Sequence, residues 1–362
     1  MPLLQVPEIK LRVMSLNMQY GAGPEVRDHK ALIPFSQKEQ DHHLNAIVDL
    51  IDEVNPHIVN LQEVDKNSSR THFTDQLMEI VNRLAKKQDG RENPYHFEFG
   101  SCMDFDQNRN SKFWEKVRHH YSQEKSEWIF KKLEIPTGML PAEPVKIHFG
   151  NAILSRYPLR EKHHSFFTPP YWDPWMSFNI VRRKDERKSL LVCRVNYCPE
   201  IAEKVPLFIY NTHLEYNHKK NRIAQSKILY GQLSKREHSY KILAGDFNAE
   251  PLGENYDLES GAKDESLERL LRHPELKYWK NIAPIYSGRR IPNYAFATYP
   301  SLQPERIIDT IMAPRFAEIT NYFVHPTHVS DHLAVIADIT LRHDLVPESA
   351  LKQLLNPWVE NS

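Results

Sequence analysis

The chain has 362 residues, with 47 Lys and Arg against 47 Asp and Glu and a formal net charge of zero. Hydrophobic residues at 40% and charged residues at 26% exclude a disordered chain, and at this length a core forms without a disulfide or metal staple. Neutrality argues against a surface given over to nucleic acid, though not against a local basic groove.

In chain order, strands are predicted at 11–17, 57–63, 146–155, 189–197, 206–215, 241–248, 306–313 and 332–341. Each is a short run of β-branched and apolar residues that ends in a polar one. Helices are predicted at 41–56, where Leu44, Ile47, Val48, Ile51 and Val54 share a face and Pro56 enforces a stop, and at 74–87, built on Leu77, Ile80, Val81 and Leu84. A third, 219–236, carries Ile223, Ile228, Leu229 and Leu233 with a basic opposite face. Several strands follow one another with no helix between them. The pattern therefore favours two packed sheets flanked by helices over a regular βαβ alternation. No repeat or linker divides the chain, so 1–342 reads as one domain with excursions at 101–143 and 165–178, and 343–362 as a packed helical tail.

Cys102, Cys193 and Cys198 are an odd set without metal-ligand spacing, which fits buried thiols in a reducing compartment. The N-terminus shows no signal-peptide pattern, and no apolar run approaches the roughly 20 residues of a membrane span. The expectation is cytoplasmic; export without an N-terminal signal is the alternative.

The recurring feature is a hydrophobic strand that terminates in Asn, Glu, His or Asp: Asn17, Glu63, His213, Asp246, Asn248, Asp309, Asp331 and His332. Singly, each has a plain structural reading. Asn17 and the 245–248 segment suit turns, His213 suits an interior hydrogen bond, and Asp331 suits a cap or turn. Glu63 and Asp309, set among apolar neighbours, are harder to explain without a partner. Together they would make a hard-metal and acid–base constellation, with carboxylates for Mg²⁺ and imidazoles for proton or charge handling.

In the order SLN (15–17), LQEV (61–64), GNAILSRYP (150–158), NTHLEYN (211–217), GDFNAEP (245–251), RIIDTIM (306–312) and SDHLAV (330–335), the sequence resembles the endonuclease/exonuclease/phosphatase superfamily. The resemblance implies a DNase I-like four-layer α/β sandwich, two mostly antiparallel sheets between helices, and a metal-dependent hydrolase acting on phosphoester bonds. It also implies roles. Glu63 would be the main ligand of Mg²⁺ (Mn²⁺ the substitute), with Asn17 beside it and Asp331 completing the site. Asp246 would activate water, Asn248 would hold the phosphate, and His332, oriented by Asp309, would stabilise its charge. His213 would contact a phosphate oxygen or assist the leaving group. Gln19 stands where some nuclease members carry an acid, so a second metal at that edge is doubtful.

Substrate choice is expected to lie in loops. Lys219, Lys220 and Arg222 either grip an extra phosphate or start a solvated helix. Trp172 and Trp175, in the aromatic stretch 165–178, either meet a membrane interface, stack on bases or fold into a small core. The run 182–188 reads as an exposed hairpin tip. The leading expectation is a small or lipid-linked phosphoester, with peripheral membrane contact allowed. A DNA/RNA nuclease or DNA-end phosphodiesterase and a catalytically idle binding module are the alternatives. Zero net charge itself is a cancellation, since 246–268 holds eight acids and one base while 218–227 holds four bases and no acid.

Overall fold

The computed structural model describes residues 8–25, 36–87, 94–107, 145–167, 188–197, 206–236, 239–250, 264–278 and 293–341. The expectations placed on Trp172, Trp175, the 343–362 tail and most of 101–143 lie outside these residues.

Among the described residues, twelve strands form two six-stranded sheets. The first comprises β1 (Ile9–Asn17), β2 (Ile58–Lys66), β3 (His96–Gln107), β4 (Val145–Ser155), β11 (Ala317–Val324) and β12 (Val335–Leu341), in the order β11-β12-β1-β2-β4-β3. The second comprises β5 (Leu159–Phe166), β6 (Ser189–Val195), β7 (Leu207–His213), β8 (Tyr240–Asp246), β9 (Leu276–Tyr278) and β10 (Asp309–Pro314), in the order β5-β6-β7-β8-β10-β9. Pairing is antiparallel except for one parallel pair inside each sheet, β1 with β2 and β7 with β8. The carboxyl ends of these pairs carry Asn17 and Glu63 in one sheet and His213 and Asp246 in the other.

Helix α1 (Gln37–Val54) starts earlier than periodicity alone suggests. Ser36 and Glu39 form a capping box, and Asn55 closes the helix in the left-handed conformation one residue before Pro56. With α2 (Gln76–Lys87) it covers the first sheet, burying Leu44, Ile47, Ile51, Leu77 and Ile80 against Met14, Leu16 and Leu61. Helices α3 (Lys219–Ser234) and α4 (Ser266–Leu271) cover the second sheet through Leu229, Leu233, Leu267 and Leu270. The result is helix, sheet, sheet, helix. Among the described residues no helix is long and apolar enough to cross a membrane.

The face between the sheets is graded along the strands. At one end it is apolar, with Leu11, Val13, Ile58, Ile209, Ile242 and Ile311 in one cluster. Towards the carboxyl ends of the parallel pairs the same alternation places buried amides there, Asn60, Gln62, Asn151 and Asn211. These cross between sheets: Gln62 Nε2 donates to Asn211 Oδ1 (2.7 Å), and Asn211 Nδ2 donates to the carbonyls of Leu61 (2.9 Å) and Ala152 (2.8 Å). Asn151 Nδ2 reaches the Ser189 carbonyl (3.1 Å). Beyond the amide layer come the charged residues of the rim.

Candidate active site

A break in strand alternation places Glu63. Between Leu61 and Val64 the pairing of β2 with β4 gains one residue, and Glu63 has φ 57°. The bulge turns a side chain that strict alternation would send to the helix side back towards the second sheet. Its base is braced by buried Asp65, which accepts from Arg70 Nε (2.6 Å) and Nη2 (2.7 Å). The Arg70 guanidinium stacks over Tyr20 at 3.6 Å. Gln76 joins the same two segments, accepting from the Asp65 amide (2.9 Å) and donating to the Tyr20 carbonyl (2.6 Å).

The rim contacts cross the sandwich. Asn17 Nδ2, on the first sheet, donates to Asp246 Oδ2 (3.0 Å) on the second and also to Glu63 Oε1 (3.3 Å). His213 Nε2 lies 3.4 Å from Asp246 Oδ2 and 3.9 Å from Glu63 Oε1. His332 Nδ1 donates to Asp309 Oδ2 (2.8 Å), and its Nε2 faces Asp246 Oδ2 at 3.9 Å. Thr298 Oγ1 donates to the same Asp309 oxygen (2.6 Å), which fixes the carboxylate that orients the ring. Asn248, at φ 49°, gives its backbone N–H to Asp246 Oδ1 (2.9 Å) and its side-chain N–H to the Leu214 carbonyl (3.0 Å). Asp331 accepts from Ser330 Oγ (3.2 Å) and is only 7% exposed. It precedes β12 by several residues, so Asp331 and His332 sit in the turn before the last strand instead of opening it.

The two histidines are driven apart. Despite burial, His332 is raised to about 10 by the charges of Asp309, Asp246 and Asp331, so it stays an imidazolium through the neutral range. Burial, reinforced by the Lys188 ammonium and by His332, holds His213 well below its usual range as a neutral ring. Burial first, and the Asp309 charge second, raise Asp246 to about 6. Burial, with repulsion from Glu63 and Asp246, raises Asp331 to about 7.

Burial leads both shifts and like charge adds to them, and buried carboxylates gathered in this way suit a divalent cation. Asp246, Asp309 and His332 offer ligand atoms within 4.8 Å of one another. A protonated His332 already donating to Asp309 has no lone pair for a metal, so the carboxylates of Glu63 and Asp331 are the better donors.

Asn17 is a hydrogen-bond bridge between two carboxylates, and its own Oδ1 accepts the Gln19 N–H (3.0 Å) while keeping a second lone pair. One sequence expectation is corrected by the geometry. Arg222 does not face a substrate phosphate. Its fork is taken by Asp264 Oδ2 (2.7 Å from Nε) and by the carbonyls of Glu215 (2.9 Å) and Tyr216 (3.0 Å), making it the brace of the loop after β7. Lys219 and Lys220 occupy the first turn of α3, half-buried and exposed respectively.

One residue of the rim escaped the sequence reading. Lys188, the last base of the run taken for a hairpin tip, is 5% exposed and donates through Nζ to His213 Nε2 (3.1 Å). A separate cavity of about 400 Å³, lined by Arg160, Glu161, Arg194 and Asn196, lies at the opposite end of β5 and β6. Arg194 and Glu161 already pair there (2.6 Å), and it holds none of the rim groups.

With this geometry in place, comparisons with known proteins are informative. The sequence profile of the endonuclease/exonuclease/phosphatase family matches residues 14–332. No curated protein sequence matches the chain. Among solved structures, an endonuclease/exonuclease/phosphatase from Beutenbergia cavernae is similar at TM-score 0.57 and 18% identity, over 92% of this chain and 72% of that one. A family protein from Bacteroides thetaiotaomicron follows at TM-score 0.55 and 13% identity, over 93% and 100%. The human nocturnin catalytic domain, solved with a bound sulfate anion, is similar at TM-score 0.54 and 17% identity, over 92% and 96%. At these identities the structures establish the DNase I-like fold.

Proposed function

Because the chain belongs to the endonuclease/exonuclease/phosphatase family, whose members are generally divalent-metal-dependent phosphoester hydrolases, we propose that it hydrolyses a phosphoester by in-line attack of water, with Mg²⁺ as its metal. One observation carries the reading: the cross-sheet cluster in which an oriented imidazolium, His332 on Asp309, stands beside a carboxylate raised to about 6, Asp246.

Glu63 and Asp331 would hold the metal, with Asn17 keeping Glu63 aligned with Asp246. When bound, the ion supplies Lewis-acid stabilisation of charge on the phosphoryl oxygens. The remaining work falls to the protein. Asp246, with its raised pKa and two fixed donors, is suited to take the proton of the attacking water. His332 presents its Nε2–H as a permanent positive charge for the phosphate, held in place by Asp309 and Thr298. Asn248 fixes the carboxylate through its backbone and lies beside it at the cleft. His213 is a neutral ring whose Nε2 is occupied by Lys188, so it orients and does not donate a proton through that nitrogen.

For the substrate, the reading is a discrete small or lipid-linked phosphoester. A balanced net charge and the spending of Arg222 on loop bracing both weaken the case for an extended nucleic-acid track. The test is hydrolysis of bis-p-nitrophenyl phosphate beside a panel of DNA ends, RNA, sphingomyelin, inositol phosphates and nucleotides, with Mg²⁺ or with EDTA. Turnover with Mg²⁺ that EDTA abolishes is expected. Full turnover in EDTA, or none on any ester, would count against the proposal.

A further inference from the structure

Two arginines face each other across the antiparallel pair of β5 and β6. The register sets Arg160 directly opposite Arg194, and like charges so placed weaken a sheet. Alternation puts both on the helix side, since Leu190 and Val192, on the same side of β6 as Arg194, pack with Leu229 and Leu233 of α3. At the level of the arginines that helix has ended, at Ser234. Arg236, just beyond, lays its guanidinium 5.0 Å over the ring of Phe208, which is the partner of Arg194 on β7. Three guanidiniums therefore lie along one row of the sheet. Glu161 answers one of them: it sits in the bulge between Arg160 and His163, at φ 46°, and accepts from Arg194 Nη1 (2.6 Å). Arg160, exposed, has no ion-pair partner among the described residues. The cavity of about 400 Å³ opens here, lined by Arg160, Glu161, Arg194 and Asn196. Asn196 adds an acceptor to it, because its Oδ1 is buried and accepts no hydrogen bond, a state that costs free energy until a donor arrives. This place lies about 17 Å along β6 from Ser189 at the rim end.

We propose that this cavity is a second ligand site, apart from the rim, for a small phosphate monoester. A guanidinium fork matches the oxygens of a phosphate, so Arg160 and Arg194 hold the phosphate between them. A hydroxyl or N–H on the body of the ligand donates to Asn196 Oδ1. Glu161 keeps the Arg194 fork in place and repels the incoming anion, which limits the affinity. The volume is of the size that small ligands occupy. The inference does not rest on the hydrolase reading, and binding is measured without turnover.

Ribose 5-phosphate and AMP are titrated by calorimetry into the metal-stripped intact chain, with ribose and adenosine as uncharged controls. Wild type is expected to bind at least one of the two esters at a single saturable site, and neither control. Arg160→Gln should weaken that binding by about tenfold, and Asn196→Ala by a smaller factor. Glu161→Gln should tighten it, since a carboxylate has left an anion site. His332→Ala, at the rim, should leave it unchanged. Arg160 is exposed, so Arg160→Gln is expected to melt like wild type, which separates lost binding from lost folding. No binding of either ester to wild type would overturn the proposal, as would binding that Arg160→Gln leaves intact or that His332→Ala abolishes.

Discussion

Buried charge in this protein comes in two kinds. In three places it is matched one to one: Asp65 with Arg70, Asp264 with Arg222 and Glu275 with Lys241. At the rim it is clustered. Glu63, Asp246, Asp309 and Asp331 gather around His213 and His332 at the strand ends of the two sheets. The pairs hold shape; we read the clustered carboxylates as the place for a cation and a phosphate.

Breaking each kind should therefore damage different properties. Asp246→Asn is expected to lower kcat by about 10²–10⁴-fold, with a melting temperature equal to or above wild type, since it removes repulsion from the cluster. A folded variant with near-wild-type turnover would sink the assignment of the base. Arg70→Met strands Asp65 at 0% exposure and is expected to cost about 3–5 kcal/mol in denaturant unfolding. Much of that loss should return in Asp65→Asn/Arg70→Met. If Arg70→Met unfolds like wild type, the matched pairs are not scaffold.

A smaller effect tests the buried cluster through pH. Asp331 is raised to about 7 in the folded state, above its unfolded value of roughly 3.9. The folded state then binds its proton more tightly, so the contribution of Asp331 is intact below about pH 4 and lost as the pH rises to about 7. In metal-free buffer the melting temperature of wild type minus that of Asp331→Asn should fall across that window. A difference that stays flat or rises would mean that Asp331 is not held as a buried carboxylate beside Glu63 and Asp246.

Much of this was legible in the sequence, and the gaps have a pattern. The eight predicted strands are the interior strands of both sheets, and the four that were not predicted, β3, β5, β9 and β11, are the four edges. An edge strand such as β5, with Arg160, Glu161 and Lys162 exposed in a row, loses the apolar signal that two-sided packing imposes. Site residues at interior strand ends were visible because polar groups there interrupt hydrophobic runs. The bulge that turns Glu63 towards the cleft left no local mark. Lys188 was hidden by its neighbours: a run of charges reads as solvated surface, yet its last residue is drawn inward where β6 begins at Ser189. Arg222 erred in the opposite direction, since nothing nearby in sequence announced Asp264. The amide layer could have been read, because Asn60, Gln62 and Asn211 sit at alternate positions just upstream of Glu63 and His213.

The central claim is that the clustered carboxylates at the rim bind a divalent ion. Calorimetric titration of Mn²⁺ into metal-stripped wild type and Glu63→Gln tests it most directly. The account predicts one saturable site in wild type and an affinity at least about tenfold weaker in Glu63→Gln. Equal affinity in the two proteins, or no binding to wild type, would contradict it.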